Sequence, residues 1–144
     1  MELSVMKLGS ILTPGAITAT PATTLGLVAG LMKAHNVGAV VIEEKQRPVG
    51  IITDRDLAMA LGVNGHSIHS HAADVMTKHV LAIPEGTDFL TATRFMKERR
   101  VRRLPVVDAD DKLVGMVTMD NLLSTLGREL ANLTETIKDE IHVH

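Results

Sequence analysis

The chain has 144 residues, 45% of them hydrophobic, which is enough to bury a core of its own. A count of 15 Lys plus Arg against 17 Asp plus Glu leaves a formal charge of -2, too little for a global field that would hold nucleic acid or an anionic membrane. With no cysteine, a disulfide, a Cys-type zinc site, a redox pair and a thiol nucleophile are all excluded, and a reducing cytoplasm is the expected location.

In chain order, the opening MELSVMKLGSILTPG breaks its apolar residues with Lys7, Gly9 and Ser10, so it lacks the continuous apolar stretch of a signal peptide. A short extended segment, ITATP, follows and is stopped by Pro21. Leu25, Val28, Leu31 and Met32 then share one helical face. Two β-branched runs come next, VGAVVIEE and RPVGIIT, joined by a polar link short enough for a hairpin, and a second helix begins at Asp54. After the polar stretch GHSIHSH the same order returns: LAIP, a helix with Phe89, Ala92, Phe95 and Met96 on one face, the strands VRRLPVVD and KLVGMVT, and a helix from Met119.

The duplication is explicit in the residues. A shift of 64 lays Thr13 on Thr77, Met32 on Met96, Lys33 on Lys97 and Val37 on Val101; a shift of 65 lays Val49 to Thr53 on Val114 to Thr118. The one-residue slip falls between the two strands, where a turn absorbs it. One such unit would bury too little surface to stand alone, so two copies are expected to pack sheet against sheet about a pseudo-two-fold, with equivalent clefts where they meet. The fold class is α+β, as β-α-β-β-α twice, and the boundaries are 6–63, a linker 64–72, 73–126 and a helical extension 127–144. In that extension Leu126, Leu130, Leu133, Ile137 and Ile141 form a narrow stripe suited to homodimerisation.

Thr53-Asp54-Arg55-Asp56 admits two accounts. It is a capping box, in which the Thr53 hydroxyl and the Asp56 carboxylate satisfy backbone amides at a helix start, with Asp54 suiting the helix dipole. It is also a corner whose hydroxyl and carboxylates could hold a ligand. In the second copy Asn121 stands where Asp56 stands, and the acid has moved to Asp120. The second copy in turn holds Arg99, Arg100, Arg102 and Arg103 where the first has Asn36, Gly38 and Ala39. These arginines are either an anion-pairing group or a solvated edge answering nearby acids, and alternation along a strand would turn only one of Arg102 and Arg103 toward a given cleft. Gly38 and Ala39 permit close approach, of a ligand or of another sheet. His66, His69 and His71 could ligate a metal, or be part of a solvated linker that responds to pH. His142 and His144 read as terminus.

GIITDRDLA and GMVTMDNLL at the ends of the copies, RRLPVVD before the second strand pair, and the openings ILTPG and VMTKHV together resemble a tandem pair of cystathionine-β-synthase (CBS) domains, a Bateman module, over nearly the whole chain. That resemblance implies a non-catalytic regulatory module, commonly dimeric, with clefts for adenine-containing ligands such as AMP, ATP or S-adenosylmethionine, and no required cofactor. It also implies that the hydroxyl and acid of the motif hold the ribose, that basic residues pair phosphates, and that Ile17, Thr18, Ala19, Ala82 and Ile83 lie near the adenine. The candidate ligand-binding residues are therefore Thr53, Arg55, Asp56, Thr118, Asp120, Asn121, Arg102, Arg103, Gly38, Ala39, Ile17, Thr18, Ala82 and Ile83, with the strongest ribose recognition expected at Asp56. No catalytic residue is expected, since the chain has no Walker loop, dinucleotide fingerprint or convincing Ser-His-Asp set. The alternatives are a ligand-free interaction module whose motif only caps helices, and a metal-responsive protein using the three linker histidines. A client protein is expected for a sensor; a membrane or nucleic-acid partner is not.

Overall fold

The computed structural model describes residues 6 to 143; the opening MELSV and His144 lie outside them. The chain builds two halves, each a sheet with helices, from α1 (Leu25–His35), β3 (Ala39–Glu44), β4 (Arg47–Thr53) and α2 (Asp54–Gly62) in the first copy, and α4 (Phe89–Arg99), β6 (Arg103–Val107), β7 (Leu113–Thr118) and α5 (Met119–Val143) in the second. Shorter pieces complete them: β1 (Thr13–Pro14), β2 (Thr18–Ala19), α3 (Ala72–Val75) and β5 (Ile83–Pro84). In the first sheet the order is β2-β3-β4 and in the second β1-β7-β6-β5, the short β2 and β5 lying parallel to β3 and β6.

The local causes repeat in both copies. Thr24 and Asp88 cap α1 and α4, accepting the amides of Leu27 and Thr91. The Thr91 amide, donating to Asp88 Oδ1 at 2.8 Å, holds the Asp88 carboxyl below the usual carboxylate range, helped by the Thr91 hydroxyl and by the charges of Lys7 and Arg94. Each helix ends in a left-handed residue, Asn36 or Arg100, whose successor amide returns to the last turn as Val37 N–H to Met32 O and Val101 N–H to Met96 O. The apolar faces are then buried as spaced: Leu25, Val28 and Met32, and Phe89, Ala92 and Met96. In the hairpins, Lys45 and Gln46 make a tight turn with φ of 51 and 67, whereas the second copy uses Asp108 to Lys112, closed by Asp108 N–H to Lys112 O. The extra residue of the repeat is absorbed there.

Val40 and Ile42 of β3 belong to a core under α1 and α2, yet Val41 between them is also fully buried. A strand covered on both faces has a helix layer on one side and another layer on the other. β6 repeats this, with Leu104, Pro105, Val106 and Val107 all buried. The two copies touch directly where Leu113 N–H donates to Gln46 O at 2.8 Å. The mirror bond is chemically impossible, because Pro48 occupies the position equivalent to Leu113 and has no N–H.

The openings of the copies cross over. Residues 6 to 14 open the first copy in sequence, but Leu8 N–H donates to Thr87 O, Phe89 N–H donates to Met6 O, and Thr13 and Pro14 pair with Met116 and Gly115. Met6 and Leu8 are buried in the second core, with Leu8 fully so. In return Ala72 joins the first core, with Val75 and Met76 packed against it, and Thr77 bridges to Ile51. Each copy therefore completes its neighbour.

The linker is also more ordered than a solvated loop would be. Ser70 O and Ile68 O accept the amides of Leu25 and Gly26 at 2.9 Å each, so backbone carbonyls of the His-rich stretch cap the start of α1. A Cβ on Gly26 would lie 3.3 Å from Ile68 Cβ and Ile68 O, which explains a glycine inside that helix.

Candidate functional site

Where the copies meet, the start of β3, the approach to β6 and the turn from β7 into α5 enclose a cleft of about 340 Å3. Its walls are Asn36, Val37, Gly38 and Ala39 from the first copy, Arg102, Arg103, Met116, Thr118, Met119 and Asp120 from the second, and Thr13 from the crossing segment. The size is that of a small-molecule site, and the wall combines apolar surface with two guanidiniums, two hydroxyls and a carboxylate.

The floor is set by a repeated bond. Gly38 O accepts the first amide of α2, from Asp54 at 3.0 Å, and Arg102 O accepts the first amide of α5, from Met119 at 2.8 Å. Strand entry and helix start are thus pinned together in each copy. Arg103 adds a link across the pseudo-two-fold, its Nη1 donating to Gly38 O at 3.0 Å. Gly38 relieves crowding on the Asp54 side of this corner: a Cβ there would come a tight 3.2 Å from Asp54 Oδ2, and an ordinary 3.8 Å from Arg103 Nη1.

The candidate residues fall into two groups. Gly38, Ala39, Arg102, Arg103, Thr118 and Asp120 all line the cleft. Both arginines do so, against the expectation that alternation would admit one, because β6 begins only at Arg103 and Arg102 sits in the bend before it. Asn121 is turned to its own helix: its Oδ1 accepts from the Thr118 amide at 2.9 Å and hydroxyl at 3.0 Å, while its Nδ2 donates to Thr13 Oγ1 at 3.5 Å. Thr53 and Asp56 form a complete capping box, with Thr53 Oγ1 accepting from Asp56 N–H at 3.1 Å and Asp56 Oδ2 from Thr53 N–H at 2.8 Å. Asp56 borders a separate hollow of about 190 Å3 with Asn64, His66 and Asp74, and Arg55 is exposed.

Ile83 is buried in the second core and Ile17 packs against the first, with Ala82 half-buried. Thr18 and Ala19 line another hollow, along α1 beside Glu43. Sequence reasoning had not singled out Asn36, Met116 or Met119 for the cleft; the available signal was their place beside Gly38 and within GMVTMD. Among the described residues, no group of three or more His, Cys, Asp or Glu is placed to hold a metal, so His66, His69 and His71 do not converge. No described helix is long and apolar enough to cross a membrane.

Two crossed β-α-β-β-α copies with a cleft of small-molecule size at their junction define a duplicated α+β module. The chain belongs to the CBS domain family, which matches residues 8–63 and 72–128. It is 31% identical over 134 residues to the CBS domain-containing protein YhcV of Bacillus subtilis, covering 91% of this chain and 95% of that one. Among solved structures it is similar to the CBS domain pair of protein MJ0100 in complex with 5′-methylthioadenosine and S-adenosyl-L-methionine, with TM-score 0.77, 27% identity and coverage of 87% and 98%. It is also similar to CBSX2 in complex with AMP, with TM-score 0.74, 26% identity and coverage of 85% and 97%. CBS pairs are regulatory modules without catalysis of their own.

Proposed function

We propose that this protein is a regulatory module that binds an adenine-containing ligand in the cleft between its copies and passes the change in their relative arrangement to a client protein in the cytoplasm. The observation that carries the reading is the cleft itself, where Arg102 and Arg103 stand with Thr118 and Asp120 around the close backbone of Gly38 and Ala39. Two guanidiniums favour a phosphate-bearing ligand such as AMP or ATP over the sulfonium of S-adenosylmethionine. Asp120, which lines this cleft, is the carboxylate that accepts from ribose hydroxyls in this reading, the counterpart here of the role expected of Asp56 at the first copy's corner.

The pseudo-two-fold carries Asp120 onto Arg55 and Asn36 onto Arg100, so the equivalent cleft has a different charge pattern and the two sites are unequal. The solved relatives with AMP and with 5′-methylthioadenosine and S-adenosyl-L-methionine support the ligand class. Calorimetric titration with AMP, ATP and S-adenosylmethionine tests it. AMP or ATP should bind in the micromolar range, and Asp120→Ala should weaken binding about tenfold, the loss of one charge-assisted hydrogen bond. No heat with any of the three at millimolar concentration removes the sensing role and leaves a ligand-free interaction module.

The module is proposed to be a homodimer joined through α5. Leu123, Leu126, Leu130, Leu133 and Ile137 keep the alternating 3 and 4 spacing of a coiled-coil seam, and all except the half-buried Leu126 are more than half exposed. A seam of this period is covered by a second helix, and a second copy supplies an identical one in an isologous pair. Charges keep off the centre of the stripe, with Arg128, Glu135 and Asp139 on the opposite face. A Leu130→Glu, Leu133→Glu variant should sediment as a monomer where the parent sediments as a dimer; equal masses for the two would reject α5 as the contact.

A further inference from the structure

The cleft contains a link that runs in one direction only. Arg103 lines the cleft of the second copy, yet its Nη1 donates at 3.0 Å to Gly38 O in the first. The same carbonyl accepts the Asp54 amide at 3.0 Å, the first amide of α2. One cationic side chain thus spans the ligand cleft and the point where β3 and α2 of the other copy are fastened together. The pseudo-two-fold places Ala39 at the position of Arg103, and an alanine cannot reach back to Arg102 O. The reciprocal link is therefore missing.

The geometry points to Arg103 as a positioning residue that reports occupancy of the cleft to α2: a phosphate-bearing ligand draws its guanidinium off Gly38 O and loosens the start of the first copy's strand and helix. This rests on the reading of the cleft as an anionic nucleotide site. A paired, charge-assisted contact between guanidinium and phosphate is stronger than one N–H to a neutral carbonyl, so the ligand wins the competition. Release costs little, because Gly38 O keeps the Asp54 amide and is not left buried without a partner. A differential contact of this kind is what coupling requires, since the ligand can bias only those contacts that differ between the two states.

The receiving helix is suited to pass the change on. α2 bears Met59 and Leu61 exposed, with Val63 exposed just after it. Arg102 serves as the internal control. It lines the same cleft but its side chain has no bond to Gly38 O among the hydrogen bonds of the described residues.

The test is amide hydrogen exchange on the full chain, with and without saturating AMP, for the parent, Arg103→Gln and Arg102→Gln, with affinities from calorimetry. In the parent, AMP should speed exchange at Ala39 and Asp54 several-fold. In Arg103→Gln those amides should already exchange at the released rate without ligand and should not respond to saturating AMP, while the affinity falls about tenfold or more. Arg102→Gln should lose affinity to a similar degree but keep the response. An equal response in the parent and Arg103→Gln at saturation, or a parent that binds AMP with Ala39 and Asp54 unmoved, overturns the inference. If the parent takes up no AMP, it is the nucleotide reading that falls. The ligand-free comparison then still decides the link, and identical exchange at Ala39 and Asp54 in the parent and Arg103→Gln rejects it.

Discussion

Gly115→Ala is expected to destabilise the protein by about 2 kcal/mol. A Cβ at Gly115 would sit 2.5 Å from Leu12 Cδ1 and 2.6 Å from Thr13 O, and the second of these is a backbone atom. A side-chain tip can rotate away, but Thr13 belongs to β1, whose pairing with Met116 and Gly115 fastens the crossing segment to the second sheet. Relief therefore means lifting β1 off β7. Alanine would recover about 0.4–1 kcal/mol by restricting the unfolded chain, which is less than an overpacking cost of about 1–3 kcal/mol with a backbone carbonyl in the way.

Gly50 provides the internal comparison. It is the equivalent glycine of the first copy, and a Cβ there would meet the Met76 side chain, with Cγ at 2.8 Å. Met76 Sδ and Cγ can rotate away, leaving Met76 Cβ at 3.0 Å to give by a few tenths of an ångström, so Gly50→Ala should cost about half as much. Urea unfolding of both variants measures the difference. A Gly115→Ala midpoint indistinguishable from the parent, or a Gly50→Ala penalty larger than that of Gly115→Ala, would show that the crossing segment is not seated as described.

These two glycines also show what the sequence discloses and what it conceals. GIIT and GMVT were legible as equivalent strand ends, and the shift from 64 to 65 fell in the hairpin because a turn tolerates an extra residue more easily than a paired strand does. Thr53 and Asp56 were legible as a capping box because its partners are three residues apart. The crossing of the openings was not legible. ILTPG and VMTKHV have equivalent positions in the two copies, so pattern alone fits self-packing and exchange equally well. A glycine in each β-rich run marked only that something passes close by.

The cleft was half legible for a similar reason. Residue type nominated Arg102, Arg103, Gly38 and Ala39, but whether both arginines reach one cleft depended on where β6 begins. The expectation at Asp56 rested on the acid of the motif at the first copy's corner, whereas the cleft at the second copy's corner has Asp120 as its acid, one position before Asn121. The histidine linker looked soft by composition. Its order comes from main-chain carbonyls, Ser70 O and Ile68 O, which no side-chain pattern reveals.

Leu8→Ala should be the most costly single truncation of the crossing segment, at about 3 kcal/mol. Leu8 is fully buried in the core of the second copy, among residues that include Phe89, Leu104 and Leu122, although it belongs to the opening of the first copy in sequence. Its amide is held by Thr87 O at 2.9 Å, so the backbone is anchored and the surrounding side chains cannot close the cavity by moving the segment inward. The cost therefore contains both the lost transfer free energy and a cavity term.

The location of the damage separates this account from an ordinary core mutation. If the openings cross, loss of Leu8 should raise hydrogen exchange first at Leu104 and Val106 in β6, and Val40 and Ile42 in β3 should hold their protection until global unfolding. Val75→Ala should do the reverse, since Val75 packs against the first core. Early exchange in β3 of Leu8→Ala, with β6 still protected, would mean that each copy is completed by its own opening. The cleft would then lose the seat of Thr13, because that residue reaches its wall only as part of the segment crossing to the second sheet.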